Sequence, residues 1–473
     1  MASRLVLSVI SLVVVLSFIF LSFPVRDKFA CENCNILLFT IDTLRADHVS
    51  SYGYFQKTTP TIDLLASQGV VFTNAFSQIP HTPPSHWSIF TGLYPYKHGK
   101  FFPHDNGTGL VTLPSILKEN GYVTAGFVSS KMLRGFAKEF DYFNGREEQK
   151  DYKGPIMKQA NETTKSVLSW LENHSSEKFF LWVHYFDPHS PYKPPKEYDL
   201  YNYSEDPHYS EQRYEQEGLS GDKIRNDIAK YDGEIRFTDE NIRIVLEKIK
   251  ELGLEDKTLI ILLSDHGECF GEHNFSDFGY ENKKPCVFHG KTLYDEEIHI
   301  PLIIKNPKSN IKGRVQNVVE TIDILPTILD VLNISTGIKT DGRSLVPLVE
   351  NKKFSKNYIL AQTRPRRGRF AVAVRTDEWK FVVMRPSEID LNKDVAEQEG
   401  KFTNFTGTEK TTGGIKKFLF RIGEGERKNF FQTNPLVVEN LEKILDDAFF
   451  TTLGTGSVDE DTERLLRSLG YME

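Results

Sequence analysis

Between Ile224 and Leu252 the residues Ile224, Ile228, Tyr231, Ile235, Thr238, Ile242, Val245, Ile249 and Leu252 are spaced alternately by four and three. That spacing lays one continuous stripe along a long helix, and Gly253 supplies its stop. The chain has one such segment, which favours a helix packed on a sheet over a coiled coil. Directly after it comes Thr258-Leu-Ile-Ile-Leu-Leu-Ser264, an uninterrupted apolar run of the kind found in a strand buried on both faces. A long helix followed by a buried strand belongs to a mainly parallel sheet covered by helices.

Other segments repeat the pattern. Asn35-Ile-Leu-Leu-Phe-Thr-Ile41, Tyr122 to Val128, Phe179-Phe-Leu-Trp-Val-His-Tyr185 and Pro301-Leu-Ile-Ile-Lys305 read as strands. Thr61 to Gln68 follows Pro60 and precedes Gly69, the punctuation of a short helix. Ile322 to Leu332 reads as a helix interrupted early by Pro326. Beyond about residue 355 the character changes. Tyr358 to Gln362, Phe370 to Arg375 and Trp379 to Met384 read as short strands, and Pro435 to Phe450 as a closing helix. The expected architecture is α/β: a mainly parallel central sheet flanked by helices over 35–350, then a smaller C-terminal α+β subdomain over 355–473.

The 473-residue chain has a net charge of −7, which argues against nucleic acid as a partner. Leu5 to Phe23 contains no charged residue and lies between Arg4 and the polar stop Pro24, Arg26, Asp27 and Lys28. Residues 1–28 therefore read as an uncleaved signal anchor, which the length of the run favours, or as a cleaved signal peptide. Either reading places the remainder outside the cytoplasm, held at the membrane or secreted. Sequons at Asn106, Asn161, Asn173, Asn202, Asn274, Asn333 and Asn404 fit an exported glycoprotein. Cys31-x-x-Cys34 lacks further ligands at zinc-knuckle spacing, so it reads as a local disulfide or a pair of thiols. Cys269 and Cys286 flank one loop that they could close.

In an open parallel sheet, ligands bind beyond the carboxyl ends of the strands. Three expected strands end in groups suited to a cation or an anion: Asp42, Asp187-Pro-His189, and Asp265-His266. One such group alone is most simply a turn residue or a cap. Three at one sheet edge point to a divalent-cation site. His81-Thr82-Pro-Pro-Ser85-His86, continuing through Ser88 to Gly92 and His98-Gly99, puts a hydroxyl in a proline-stiffened loop before a helix. A helix N-terminus suits anion chemistry. A Thr hydroxyl is a weak nucleophile until a metal or base lowers its pKa, and a plain Ser/Thr cap explains the same spacing equally well.

Together these segments resemble the sulfatase family of the alkaline phosphatase superfamily. The family signature is a Cys or Ser, any residue, Pro, Ser and Arg before a helix ending in Thr-Gly. Thr82-Pro83-Pro84-Ser85-His86 through Thr91-Gly92 is similar to it. Ile41-Asp42-Thr43-Leu-Arg45-Ala-Asp47-His48, with Tyr52-Gly53, resembles the first metal segment. Phe180 to Tyr192 resembles the sulfate-contacting His segment, and Tyr231-Asp232-Gly-Glu-Ile through Ser264-Asp265-His266-Gly267-Glu268 the second metal pair. His289-Gly-Lys291 to Glu296, with His299-Ile-Pro301, resembles the segment that supplies a last anion-binding cation. Asp341-Gly-Arg-Ser-Leu345 and Leu469-Gly-Tyr471 also recur in the family. The resemblance implies that Asp42, Asp265 and His266 hold a divalent metal, with Thr82 as nucleophile and metal neighbour. It implies that His189, with His289 or Lys291, contacts the charged oxygens of an anionic ester and protonates its leaving group. His86 takes the place of the signature Arg in that catalytic set. The ester would be a sulfated or phosphorylated glycan, lipid or small molecule.

The departures from the family pattern bear on the chemistry. In confirmed sulfatases the nucleophile is a Cys or Ser oxidised to formylglycine. The same conversion of Thr82 would give a ketone, so Thr82 is expected to act unmodified. The second of two adjacent Asp ligands is replaced by Thr43, and Val128-Ser-Ser-Lys131 stands where the family has Gly-Lys-x-His. Lys131 is a partial substitute there. Fewer carboxylates imply one ion rather than two. An oxygen-rich site favours calcium, then magnesium or manganese, with zinc if more histidines join.

The expected function is metal-dependent hydrolysis of a sulfuric or phosphoric ester. A hydrated aldehyde expels sulfate by collapsing, and a Thr ester cannot. A phosphoryl or head-group transferase and a phosphodiesterase of the same superfamily are therefore the alternatives. A catalytically degenerate binding protein is disfavoured by the joint presence of Asp42, Thr82, His189, Asp265 and His266.

Overall fold

The computed structural model describes residues 28–144, 157–203, 220–278, 284–352, 354, 356–364, 370–385, 415–424, 426 and 428–449. The apolar run Leu5 to Phe23 and the segment Leu469 to Tyr471 lie outside these residues. Among the described residues no helix is long and apolar enough to cross a membrane.

The strands in chain order are β1 (Asn35–Ile41), β2 (Val70–Phe76), β3 (Val123–Val128), β4 (Tyr142–Asn144), β5 (Phe179–Tyr185), β6 (Thr258–Ser264), β7 (Cys269–Asn274), β8 (Pro285–Phe288), β9 (His299–Lys305) and β10 (Gly313–Glu320). Then come β11 (Ile359–Gln362), β12 (Phe370–Arg375), β13 (Trp379–Arg385) and β14 (Lys416–Arg421). The principal helices are α1 (Pro60–Gln68), α2 (Thr82–Thr91), α3 (Leu113–Glu119), α4 (Ala160–His174), α5 (Gly221–Glu251), α6 (Ile324–Val331) and α7 (Pro435–Phe449). Eight strands form one sheet in the order β10-β2-β9-β6-β1-β5-β3-β4. β9 runs antiparallel to β2 and β6, and the other pairings in the sheet are parallel.

Side-chain parity explains the apolar runs. Ile36 and Leu38 of β1, Phe180 and Trp182 of β5, and Ile261 and Leu263 of β6 face one side, against Trp87 and Phe90 of α2 and Ile324 and Ile328 of α6. Leu37, Phe39, Leu181, Val183, Ile260 and Leu262 face the other, against Val167 of α4 and Ile228, Ile235 and Val245 of α5. Both faces are covered, so these strands carry few polar positions. The stripe of α5 is buried as its spacing requires, and Gly253 follows with φ +66°, the left-handed conformation that ends a helix.

β11 to β14 form a separate antiparallel sheet against which Val438, Leu441 and Leu445 of α7 pack. β2, β10 and β14 were not legible in the sequence. β10 is an edge strand whose first five residues are mostly exposed, so no alternation marks it. Cys31 and Cys34 form a disulfide. Cys269 and Cys286 are buried thiols whose Sγ atoms lie 2.8 Å apart across the β7–β8 hairpin.

Candidate active site

β1 occupies the middle of the sheet, with β5 on one side and β6 on the other. Ile41 pairs with both Tyr185 and Ser264, so the three strands end level. The residues just past those ends therefore meet. Asp42 and Asp265 are both fully buried there, and they share their pocket with His266. One ligand atom from each of these three lies within 4.8 Å of the others.

Thr82 is brought to the same point by α2. The Ser85 hydroxyl donates to the Asp265 carbonyl at 2.7 Å, which fixes the first turn of α2 to the end of β6. Thr82 Oγ1 then lies 3.4 Å from Asp42 Oδ2 and 3.2 Å from His266 Nε2. The helix start offers few donors, because Pro83 and Pro84 have no N–H and the Ser85 N–H bonds to the His81 carbonyl at 3.1 Å. The anion chemistry expected of that terminus falls to side chains.

Histidine tautomers can be assigned from the acceptors. His266 Nδ1 donates to the Gly267 carbonyl at 3.0 Å, so Nε2 presents its lone pair to Thr82 and the carboxylates. His86 Nδ1 donates to the Thr82 carbonyl at 2.8 Å. Trp182 Nε1 donates to Thr40 Oγ1 at 2.8 Å, leaving that hydroxyl to donate to His86 Nε2 at 3.0 Å. Both nitrogens of His86 are thus committed to protein groups in a buried place. Burial holds His86 down to about 3, so the ring is neutral where the family signature carries a cation.

Burial shifts both carboxylates of the candidate site. Burial raises Asp42 above 3.8. Burial and then the Asp42 charge push Asp265 up to about 7. Asp265 Oδ2 is buried with no hydrogen bond. Two adjoining buried carboxylates, one with an orphaned oxygen, and an imidazole lone pair fit a divalent cation. Thr43, at the place of the family's second Asp, has φ +57° and donates its backbone N–H to Asp265 Oδ1 at 3.3 Å. Its contribution is an N–H that orients a carboxylate.

The remaining expected residues are placed as follows. His189 follows β5; its Nδ1 donates to the Ser190 carbonyl at 2.6 Å, and its ring stacks on Phe186. His289 follows β8, with its ring 4.4 Å from that of His266 and 5.0 Å from that of His189. Lys291 is placed with its ammonium over the Phe275 ring, 4.8 Å from the centroid. Lys131 opens the short helical segment after β3.

Three residues beside the candidate site were given no role in the sequence reading. Glu268 is buried and accepts from His289 Nδ1 at 2.8 Å and from the Tyr192 hydroxyl at 3.0 Å. Arg364, from the C-terminal subdomain, lies 3.3 Å from His81 Nε2, beside the nucleophile position. His184, inside β5, is fully buried with Nε2 3.6 Å from Asp42 Oδ2. Parity could have found His184: it shares a face with Phe180 and Trp182 and breaks an apolar row.

Known proteins are similar to this chain over most of its length. The family described as Sulfatase matches residues 34–334, more than half of the chain. The family described as N-sulphoglucosamine sulphohydrolase, C-terminal, matches residues 285–418. An arylsulfatase of Clostridium perfringens is 25% identical over 85% of this chain and 97% of its own length. A delta 4,5-hexuronate-2-O-sulfatase of Bacteroides thetaiotaomicron is 24% identical over 70% of this chain and 74% of its own. Among solved structures, one in complex with its substrate D-glucosamine-2-N,6-O-disulfate superposes with a TM-score of 0.68, 19% identity, and coverage of 88% of this chain and 97% of that one. A phosphonate monoester hydrolase of Agrobacterium radiobacter gives 0.67, 17%, 87% and 94%. These two show a shared fold.

Proposed function

This chain belongs to the sulfatase family, and from that premise we propose that it hydrolyses a sulfuric ester of a glycan with the unmodified Thr82 hydroxyl as nucleophile. The observation that carries the reading is the convergence of Thr82 Oγ1 on Asp42 and His266, within 3.2 to 3.5 Å of each. Asp42, Asp265 and His266 would hold one divalent cation, which when bound lowers the pKa of the Thr82 hydroxyl and neutralises charge on the ester.

Thr82 Oγ1 bonds to sulfur as the bond from sulfur to the sugar oxygen breaks. The Asp42 carboxylate, 3.4 Å away, is placed to take the hydroxyl proton. His289, its Nδ1–H held by Glu268, supplies from the Nε2–H of its imidazolium form the proton to the departing sugar oxygen, with the His189 ring beside it. Glu268 holds His289 with Nδ1–H pointing at the carboxylate, which turns Nε2 away from it. Water then gives a proton back to His289 and attacks the sulfur of the Thr82 ester; the bond from sulfur to Oγ1 breaks, Oγ1 regains its proton from Asp42, and sulfate leaves. His86 acts by holding the Thr82 backbone in place. Glycan substrates are supported by relatives that act on hexuronate and N-acetylglucosamine sulfates. An extracytoplasmic location is supported by the Cys31–Cys34 disulfide and by the N-terminal apolar run.

The β-methyl of Thr82 favours a second reading, a phosphate or phosphonate ester, because a phospho-Thr intermediate is open to direct attack by water. The test is turnover by wild type and Thr82→Ala on paired aryl sulfate, phosphate monoester and phosphodiester substrates, with and without chelator. Preference for sulfate supports the first reading and preference for phosphate the second. Equal turnover by Thr82→Ala overturns both.

A further inference from the structure

His184 has no role in the reaction above, yet it is fully buried and neither ring nitrogen makes a hydrogen bond. Leaving a buried polar group without a partner is costly, so a native imidazole in that state calls for one. Its backbone is fixed: the Ser129 N–H and hydroxyl donate to the His184 carbonyl at 3.1 Å and 2.9 Å. β1 and β5 pair in parallel with Thr40 opposite His184, and both side chains lie on the α2 face of the sheet. Asp42 comes two residues after Thr40, just past the end of β1. His184 Nε2 accordingly stands 3.6 Å from Asp42 Oδ2, too far for a hydrogen bond and suited to sharing a third atom with it. His266 Nε2 lies 3.7 Å from Asp42 Oδ1 and 3.5 Å from Asp265 Oδ2. The neighbouring His86 also lies near Asp265, but its nitrogens are committed to Thr82 and Thr40.

We propose that His184 is a fourth protein ligand of the cation, so that the site is made of two Asp and two His and selects a transition metal of the zinc class over calcium. The inference rests on the cation site proposed above. Thr43 brings only a backbone N–H to the site, and the imidazole of the adjacent strand stands beside Asp42. Each carboxylate exchanged for imidazole moves a site away from calcium, which takes oxygen ligands, and towards zinc.

The test uses the full chain stripped of metal by chelation. Binding of Zn2+, Mn2+ and Ca2+ is measured by titration calorimetry, and the Zn2+-loaded protein is examined by X-ray absorption for imidazole count. Wild type should bind Zn2+ at least tenfold more tightly than Ca2+ and show two imidazoles. His184→Gln should show one imidazole and lose at least tenfold in Zn2+ affinity, with Ca2+ affinity changed less. Asp265→Ala should lose binding of all three ions. If Asp265→Ala binds as wild type does, the cation site itself is misplaced. If Asp265→Ala loses binding while His184→Gln keeps two imidazoles and the same Zn2+ affinity, the site stands and the His184 assignment falls. Should His184→Gln fail to fold, the imidazole count of wild type alone decides: one imidazole overturns the proposal.

Discussion

The Nε2 of His266 stands 3.2 Å from the Thr82 hydroxyl, and its Nδ1 is committed to the Gly267 carbonyl. One ring thus ties the end of β6 to the start of α2. Thr82→Ala is expected to reduce kcat by about a thousandfold or more, as for loss of a covalent nucleophile. Thr82→Ser should keep measurable turnover. Peptide mass spectrometry should find Thr82 with its unmodified mass; a loss of two hydrogens there would overturn the reading of a free hydroxyl.

Glu268 orients His289 through a 2.8 Å contact at Nδ1. Glu268→Gln should lower kcat by about 10- to 100-fold, the usual effect of removing a ring-orienting carboxylate, with KM little changed. Glu268→Gln combined with His289→Ala should be no worse than His289→Ala alone, because the two act as a unit. Additive losses would show that Glu268 works independently of His289.

His86→Arg would restore the cation of the family signature, but here the side chain packs against Trp182 and Phe136 and is fully buried. A guanidinium forced among these rings, where it would draw Asp265 away from the cation, should destabilise the protein by about 3–5 kcal/mol in urea unfolding. An unchanged midpoint would mean that the pocket opens to the substrate side.

His98 sits behind α2, donating from Nε2 to the Ser88 hydroxyl at 3.1 Å and accepting from the Lys100 N–H at 3.0 Å. Burial pushes it from 6.5 down to about 3. A base whose folded pKa is depressed contributes stability above its unfolded pKa and loses it as pH falls. In the window from 6.5 to about 3 the unfolded chain binds the extra proton, so stability should drop by about 1.4 kcal/mol per pH unit from this group. His98→Gln should flatten the slope of unfolding free energy against pH by one proton. An identical slope in both proteins would show that His98 titrates normally.

Much of the fold could be read from periodicity. β1, β5, β6 and α5 are long, strongly patterned segments, and their bounds shift by a few residues at most between expectation and structure. β10 escaped because an exposed edge strand need not alternate. In the site, Asp42, Thr82, Asp265 and His266 were legible because each directly follows a readable strand or opens a readable helix. Glu268 and His184 were not, because their meaning depends on atoms far away in sequence: Tyr192 and His289 for the first, Asp42 for the second.

The sequence by itself determined that a parallel sheet would carry carboxylates at its edge beside a proline-stiffened Thr82. Burial on both sheet faces leaves no other use for such apolar runs, and polar residues at their ends have nowhere else to go. Only the tertiary structure decided between the two buried histidines near those carboxylates. His86 and His184 are both imidazoles among aromatics, yet one has each nitrogen answered by protein and the other has neither. Hydrogen-bond satisfaction is a property of neighbours assembled in space, and no local pattern of residues encodes it.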